Sequence, residues 1–595
     1  LMGGEITWEC IKTGSKSGQY VFQMKLYRDC QGVALGGLTE YLTVHNSTIS
    51  SITLNRVSVT DLSPNCDTIN GPNSEFTCGT SNTGSSGNGN GAVEEHIYMS
   101  DTIRILGTPD ANGWHFTWSS CCRNGAITNL SLSSTTNPNE GFTLRAVMYS
   151  YTDSLGVTFP SNNDCYDSSP KFYEKPRTIL EVNNGYDPTS LTNGFTYSHN
   201  AFDQEQDSIS YEWGEPLDNN YYDYLNPNSY SLPFVSPYSY TIPINGITLN
   251  SVTGRTSYPA DQQGNYVTCT KVSSYKCGQL ITEIYREIQI VLIPPTCNLG
   301  DTTNGNYGAD TLCNVRPLVQ PPFYYAGNPN PYQWDTLVHC GDTVAFDFIA
   351  NDNDYYPNGT QQNLLFEVSG GQFYNYNDGV PCQNPPCATF EESITGAAPP
   401  FSTANGTGTG QFEWITSCNH VIGSCSGFSP SVYTFVVRVT DDFCPAPAIE
   451  NTAQVISITV YPPCDLKGNL VVNQPNCGIN DGQVIFSPSG GVPPYNTYIF
   501  DMNGIPVNRD SLYQGTYQIR ITDSTFCETV DTVILTNQNQ LLNTITTLDP
   551  SCNGFLNGTI DIQTSGGNAP YSYLWSNGDS SQFLQNVGAG QYHIT

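Results

Sequence analysis

The sequence predicts an all-β protein, built as a tandem array of small, disulfide-stapled β-sandwich domains. The chain of 595 residues contains 38 Tyr, 54 Gly and 39 Pro, a composition that suits strands joined by turns better than helices. No long segment shows the apolar spacing of an amphipathic helix. The 21 cysteines are spread along the whole chain, which indicates an oxidising compartment. Their irregular spacing and the scarcity of nearby histidines favour disulfides over zinc.

The chain is strongly acidic. Its 20 Lys and Arg residues stand against 53 Asp and Glu residues, giving a formal net charge of -33. A surface of this sign repels phosphate backbones, so nucleic acid is not expected as a partner, whereas divalent cations are attracted. No apolar stretch of the sequence is long enough to span a membrane.

Two strand-ending patterns that run into consecutive prolines mark domain boundaries. "EIYREIQIVLIPP" ends near residue 296 and "NTAQVISITVYPPC" ends at Cys464, and proline cannot continue a β-ladder. The segment before residue 170 carries its own set of cysteines. We therefore predict a Cys-rich β-domain over 1–170, followed by immunoglobulin-like or cadherin-like sandwiches over 171–297 and 298–464, the second of them with insertions.

Core positions follow from alternation along the predicted strands. Ile456, Ile458 and Val460 share one face of a strand, and Trp114 and Trp118 share a face with the phenylalanine between them. We expect both faces to lie in the hydrophobic core.

Two units at the end of the sequence repeat each other. "CGINDGQVIFSPSGGVPPYNTYIF" begins at Cys477, and "CNGFLNGTIDIQTSGGNAPYSYLW" begins at Cys552. Their glycine pairs match, as do the tyrosines that follow. Each unit alternates apolar and polar residues between Gly/Pro turns, which is typical of a small antiparallel sandwich. We predict repeats over 465–540 and 541–595.

The cysteines of these repeats predict one disulfide and one unpaired thiol. The first repeat closes at Cys527, so we expect a Cys477–Cys527 bridge. The second stops before a closing cysteine. We therefore expect Cys552 to be the odd one of the 21, and the protein to continue beyond residue 595.

Several segments carry a resemblance to a known family. "LMGGEITWEC" at the start, "YRDC" at 27–30, "GWHFTWSSCCRN" at 113–124 and "GFTLRAVMYS" at 141–150 resemble the N-terminal region of large Bacteroidetes surface proteins linked to gliding motility. The units from Cys477 onward are similar to the SprB repeat of the gliding adhesin. The middle of the chain matches only a general cadherin-like or PKD-like pattern.

The resemblance implies a cell-surface adhesin exported by the type IX secretion system. It also implies attachment to the outer membrane and the motility apparatus through a C-terminal region absent from this sequence, with extracellular surfaces or polysaccharides as partners. We thus predict the N-terminal, outward-projecting part of a long filamentous adhesin for surface attachment and gliding. The alternative is a calcium-dependent glycan-binding module that captures polysaccharide.

Acidic turns precede core strands in both predicted sandwiches. "AFDQEQDSISYEW" places Asp203, Glu205 and Asp207 at alternate positions, and Asp352 and Asp354 occupy the matching place in the next unit. Ca2+ binds about six to eight oxygens from carboxylates, amides and carbonyls. These acids are therefore candidate ligands of a structural Ca2+.

A further acidic pair distinguishes the second turn. Asp441 and Asp442 end a strand that can return to the same end of the sandwich, whereas the first unit has "TKVSSYKCG" there. If only one turn binds calcium, we expect the turn around Asp352. The alternative is an Asx-rich turn whose side chains cap their own backbone.

No enzyme activity is predicted. Catalytic carboxylate pairs face each other across a cleft with different pKa values, whereas acids of one turn share an environment. The sequence also shows no nucleophile elbow, zincin helix or Gly-rich phosphate loop.

Two aromatic-rich loops supply candidate glycan-stacking residues, namely Tyr221, Tyr222, Tyr224, Tyr325 and Trp334. Exposed aromatic faces suit sugar rings. The same residues can instead cover the ends of small sandwiches, which is the interpretation that we favour.

Overall fold

The computed structural model describes most of the chain. The exceptions are residues 31, 33–34, 64–77, 79–91, 122, 124, 132–140, 162–163, 177–178, 182–193, 219–221, 229–230, 260–262, 294–313, 315, 357–358, 377–380, 383, 425–426, 444–450, 526, 539 and 568.

Strands form nearly all of the regular structure, with a short 3-10 helix over Cys418–His420. The strands up to Ile293 are β1 (Gly3–Ile11), β2 (Gln19–Asp29), β3 (Thr39–His45), β4 (Ser51–Asp61), β5 (Val93–Ser100), β6 (Trp114–Ser120), β7 (Phe142–Met148), β8 (Tyr151–Thr152), β9 (Thr158–Phe159), β10 (Lys171–Phe172), β11 (Ile179–Glu181), β12 (Gly194–Ser198), β13 (Ala201–Phe202), β14 (Ser208–Trp213), β15 (Thr248–Leu249), β16 (Arg255–Pro259), β17 (Gly264–Lys276) and β18 (Gln279–Ile293). Those that follow are β19 (Leu318–Val319), β20 (Phe323–Tyr324), β21 (Tyr332–Gln333), β22 (Asp335–His339), β23 (Thr343–Asn351), β24 (Leu364–Ser369), β25 (Thr389–Glu392), β26 (Phe401–Thr403), β27 (Thr407–Ile415), β28 (Ile422–Ser424), β29 (Gly427–Ser429), β30 (Ser431–Asp441) and β31 (Asn451–Tyr461). The last group is β32 (Leu470–Asn473), β33 (Gln483–Phe486), β34 (Asn496–Asp501), β35 (Gly515–Thr522), β36 (Glu528–Leu535), β37 (Leu542–Leu548), β38 (Gly558–Ser565) and β39 (Phe583–Val587).

A large sheet organises the chain from β1 to β18, with strand order β1-β2-β5-β4-β3-β6-β7-β18-β17-β14. Strand β18 pairs with β17 along almost its whole length, so β7 and β1 share its other edge. The core enclosed by this sheet contains Trp114, Phe116 and Trp118, as the alternation predicts.

The sheet and its core both cross the boundary predicted at residue 170. Gly4 in β1 pairs with Glu287 in β18. Tyr211 and Ile284 belong to the same core cluster as Trp8. Sequence patterns show local alternation but not pairing between strands so far apart in the chain.

Residues 316–461 form a β-sandwich. One sheet has the order β19-β23-β27-β25 and the other β22-β31-β30-β24-β26. Their inner faces meet in a core rich in phenylalanine, which also contains Ile456, Ile458 and Val460. The predicted fold class is therefore confirmed: the chain is all-β, with immunoglobulin-like sandwiches and disulfides.

The outer face of strands β30 and β31 is also buried, because strand β12 and Asn200 pack against it. Thr196 Oγ1 donates to the Ala453 carbonyl at 2.9 Å. Asn200 Nδ2 donates to the Ser369 carbonyl at 2.9 Å. Arg438 on β30 forms an ion pair with the buried Glu174.

The two terminal repeats share local geometry. The glycine pairs 490–491 and 566–567 all have positive φ angles, between 60° and 74°. The Tyr495 hydroxyl donates to the Gly490 carbonyl at 2.8 Å, and the Tyr571 hydroxyl donates to the Gly566 carbonyl at 2.5 Å. A tyrosine thus fastens the same glycine turn in each repeat.

The predicted Cys477–Cys527 disulfide is wrong. Cys527 is bonded to Cys464, with a Cα–Cα distance of 5.6 Å, and Cys477 is exposed and free. Asn537 contacts Cys477, which puts this cysteine at the far end of strand β36 from Cys527. A strand of this length spans about 26 Å, far beyond the roughly 7 Å that a disulfide can bridge.

Further disulfides among the described residues include Cys10–Cys165, Cys30–Cys78, Cys340–Cys418 and Cys382–Cys387. Cys552 is unpaired as predicted, and Cys269 is also free.

The chain divides into two compact units, Leu1–Pro462 and Pro463–Thr595. Their boundary lies just before the one predicted after Cys464. Among the residues described here, no helix is long and apolar enough to cross a membrane.

Candidate metal centre

The first acidic turn joins β13 to β14 and is closed by Asp203. Asp203 Oδ1 accepts hydrogen bonds from the backbone N–H groups of Glu205 at 3.0 Å and Asp207 at 3.2 Å. Gln206, with a φ of 63°, donates its N–H to the Asp203 carbonyl. Asp203 therefore caps its own turn, but this uses only one of its carboxylate oxygens.

Two acids of this turn lie close to a carboxylate from another part of the chain. Asp167, Asp203 and Asp207 each place one carboxylate oxygen within 4.8 Å of the others. We call these three residues the carboxylate centre. Asp167 Oδ2 and Asp203 Oδ2 are buried without a hydrogen-bond partner, as is Oε2 of the flanking Glu205.

Two lysines balance part of the negative charge. Lys276 Nζ, at the end of β17, lies 2.7 Å from Asp207 Oδ2 and 3.2 Å from Asp167 Oδ1. Lys12 Nζ lies 2.8 Å from Glu205 Oε1. Lys276 belongs to the "TKVSSYKCG" segment, which lacks the acid that the second unit has at the matching position. The Lys276 ammonium group therefore lies where that acid would be.

Burial makes the ionised forms of the centre costly. Burial, and then the neighbouring Asp167 carboxylate, raises the pKa of Asp203 well above its ordinary value. Burial likewise raises the pKa of Asp167, against the opposing effect of Lys276. Added positive charge at the centre would therefore stabilise the carboxylates.

Asp167 is the residue that sequence reasoning missed. It follows Cys165, whose disulfide with Cys10 fixes this segment beside β1. Trp8 Nε1 also donates to the Asp167 carbonyl at 3.1 Å. The approach of Asp167 to the turn between β13 and β14 depends on tertiary contacts that leave no local pattern in the sequence.

The second turn assembles differently. Asp352 Oδ1 accepts from the Asp354 N–H at 2.9 Å, and its Oδ2 is buried without a partner. Asp441 Oδ2 accepts from Asn314 Nδ2, and Asp442 accepts from both the backbone and the side chain of Asn363. Within the described part of the chain, no three acids come within ligating distance of one another at this turn. The geometry therefore favours the first turn over the one that the sequence favours.

A second group with ligand-type side chains contains Cys30, Cys78 and Glu94. The two sulfur atoms are joined in a disulfide, so they are not available as thiolate ligands.

The first aromatic loop packs against histidines of β3 and β6. The Tyr222 hydroxyl hydrogen-bonds His115 Nδ1 at 2.8 Å, and burial raises the pKa of Tyr222 to about 12. The Tyr224 ring lies 6.0 Å from the His115 ring. Tyr221 lies outside the described residues.

The second aromatic loop is more open. On the hairpin of β20 and β21, Tyr324 is 62% exposed, Tyr325 41% and Tyr332 45%. Tyr324 and Tyr332 form an edge-to-face pair at 5.2 Å. Trp334, by contrast, packs against the sandwich core beside Phe348.

Comparisons with known proteins find a family match near the end of the chain. Residues 544–580 match the family model of the SprB repeat, within the second predicted repeat. No curated protein matches the chain. The match fits a SprB-like adhesin and supports an extracellular surface protein.

Solved structures with some similarity include the extracellular cadherin domains 1–5 of protocadherin gamma B2, at 12% identity, 84% coverage of this chain, 74% of that chain and a TM-score of 0.15. A biofilm-associated protein BSP domain has 10% identity, coverages of 66% and 83% and a TM-score of 0.17. A structure of three titin immunoglobulin domains has 9% identity, coverages of 62% and 98% and a TM-score of 0.16. TM-scores this low do not establish a shared architecture, and the fold is defined by the sheets of this chain.

Proposed function

We propose that this chain is an outward-projecting part of a long filamentous cell-surface adhesin that serves surface attachment and gliding motility. The SprB-repeat match at residues 544–580 is the observation that carries the proposal. Both repeats also share a glycine turn whose carbonyl accepts a hydrogen bond from a tyrosine hydroxyl, which supports the proposal. The proposal includes type IX export and attachment to the outer membrane and motility apparatus through a region outside this sequence.

The fold suits a mechanical role. Disulfides staple the sheets, and strand β18 carries strands from distant parts of the chain on one edge. Extending this part of the chain would have to break pairings between strands that are distant in the sequence. The proposed role is structural rather than catalytic, and the buried carboxylates serve it by binding Ca2+ as a structural ion.

Deletion of the coding region in the bacterium that encodes this chain tests the adhesin proposal. We expect fewer cells attached to glass and slower gliding, with both restored by the intact gene. Unchanged attachment and gliding in the deletion strain would contradict the proposal.

A calcium-dependent glycan-binding module is a second candidate, favoured by the exposed Tyr324, Tyr325 and Tyr332 on one hairpin. Stacking of a sugar ring on such a face predicts that Tyr325→Ala weakens polysaccharide binding measured by calorimetry. Tyr222→Phe is the matched control, since Tyr222 packs against histidines. A glycan array without any binding counts against this function.

A further inference from the structure

We propose that the carboxylate centre is a divalent-cation site suited to Ca2+, in which Asp167 joins Asp203 and Asp207 as a ligand and Glu205 flanks the ion. This inference rests on the calcium component of the proposed function. It deepens that component by naming a ligand from a separate segment and by assigning the ion to the first turn alone.

Unpartnered oxygens support an ion at the carboxylate centre. Asp167 is 6% exposed and Asp203 2% exposed, yet each has one oxygen without any hydrogen-bond donor. An unpaired buried acceptor is destabilising, and Asp167, Asp203 and Asp207 each place one carboxylate oxygen within 4.8 Å of the others, so a shared cation would stabilise this group.

The charge count agrees with a divalent ion. When all four are ionised, the carboxylates of Asp167, Asp203, Glu205 and Asp207 face two ammonium groups, from Lys12 and Lys276. The difference is two negative charges, which one divalent cation neutralises. Lys276 Nζ donates hydrogen bonds to Asp167 Oδ1 and Asp207 Oδ2, which leaves Asp167 Oδ2 available to the ion.

The donor chemistry selects the metal. All the candidate ligand atoms of the centre are carboxylate oxygens, which hard cations prefer, whereas zinc favours nitrogen and sulfur. Calcium tolerates the irregular geometry of ligands from separate loops better than Mg2+, which demands a near-octahedral shell.

The ion would connect elements on both sides of residue 170. Asp167 belongs to the segment bonded to β1 through Cys165, and Asp203 and Asp207 belong to the turn before β14. Binding would therefore fix the turn against the disulfide-linked segment, so stiffness of this unit would depend on Ca2+.

Terbium luminescence on the whole chain tests this inference, because Tb3+ substitutes for Ca2+ and the Tyr166 ring lies beside the centre, 5.1 Å from Lys276 Nζ. We expect a sensitised signal that Ca2+ displaces. Asp167→Asn should weaken Ca2+ binding at least about tenfold, because it removes a charged ligand. Asp352→Asn is the matched control and should bind as the unchanged protein does.

Absence of displaceable Tb3+ binding, or equal affinity in Asp167→Asn, would overturn the inference, as would loss of binding in Asp352→Asn. If Asp167→Asn fails to fold, Lys276→Met provides a second test. It keeps every proposed ligand and removes a competing cation, so it should bind Ca2+ more tightly, and weaker binding would overturn the inference. Attachment by the deletion strain is measured separately, so failure of the ion site and failure of the adhesin role are distinguishable.

Discussion

Asp352 is a buried carboxylate whose ionisation opposes folding. Burial, and then the nearby Asp354, raise its pKa to about 7, far above its value in an unfolded chain. The folded protein therefore holds this proton more tightly than the unfolded protein does. The resulting stability is fully present below about pH 4 and is lost as the pH rises through 7, by at most about 4 kcal/mol.

Asp352→Asn should remove the loss of stability that accompanies ionisation of this carboxyl group as the pH rises. The amide keeps the oxygen that accepts from the Asp354 N–H and carries no charge at any pH. We expect the variant to gain stability relative to the unchanged protein between pH 4 and 8, measured by urea unfolding in EDTA. Glu413→Gln, on the exposed face of β27, is the control and should follow the unchanged protein. Parallel profiles of unfolding free energy against pH for Asp352→Asn and the unchanged protein would contradict the raised pKa of Asp352.

At the scale of elements, the start of β36 is held by a disulfide that repeat alignment did not predict. Cys464 lies close to Leu466, which shares a core with Cys527. Cys527→Ser should lower the unfolding free energy of residues 463–595 by about 2–5 kcal/mol. Cys477→Ser is the matched control: this thiol is exposed and free, so the change should stay within about 0.5 kcal/mol. Equal loss in both variants, measured by denaturant unfolding, would contradict the assigned pairing.

A second prediction at the scale of elements concerns the contact between β30 and the segment around residue 174. Arg438 faces two acids, the buried Glu174 and the more exposed Glu367, whose Oε2 lies 3.1 Å from Arg438 Nη1. Glu174→Ala leaves a buried guanidinium without its main partner, so we expect a loss of roughly 3–5 kcal/mol. Glu367→Ala should cost about 1 kcal/mol or less. Similar losses of stability in both variants, measured by thermal unfolding, would contradict the expectation that the buried acid contributes more stability than the exposed one.

Alternation along single strands predicts one face of each element but not what covers the other face. Val437 and Val439 of β30 alternate as a half-buried strand should, and they lie in the sandwich core. Their neighbour Arg438 is also buried, because the preceding domain packs on the outer face. The same limit applies to the candidate site. The sequence predicts the turn with Asp203 and Asp207, whereas tertiary packing alone brings Asp167 close to that turn.

At the scale of the whole molecule, the chain divides between Pro462 and Pro463 into two compact units. Each has its own hydrophobic cores. Separate cores predict separate cooperative transitions in calorimetry of the whole chain.

Perturbations confined to one unit should then move only one transition. Cys527→Ser should lower the transition of residues 463–595 and leave that of residues 1–462 in place. EDTA should lower only the transition of residues 1–462, because the carboxylate centre lies there. A ligand that binds only the folded state stabilises it according to its concentration relative to Kd, so the shift should grow with the Ca2+ concentration that chelation removes. A single transition that moves as a whole in both experiments would show that the units unfold together, and would contradict independent responses to calcium removal and to loss of the Cys464–Cys527 disulfide.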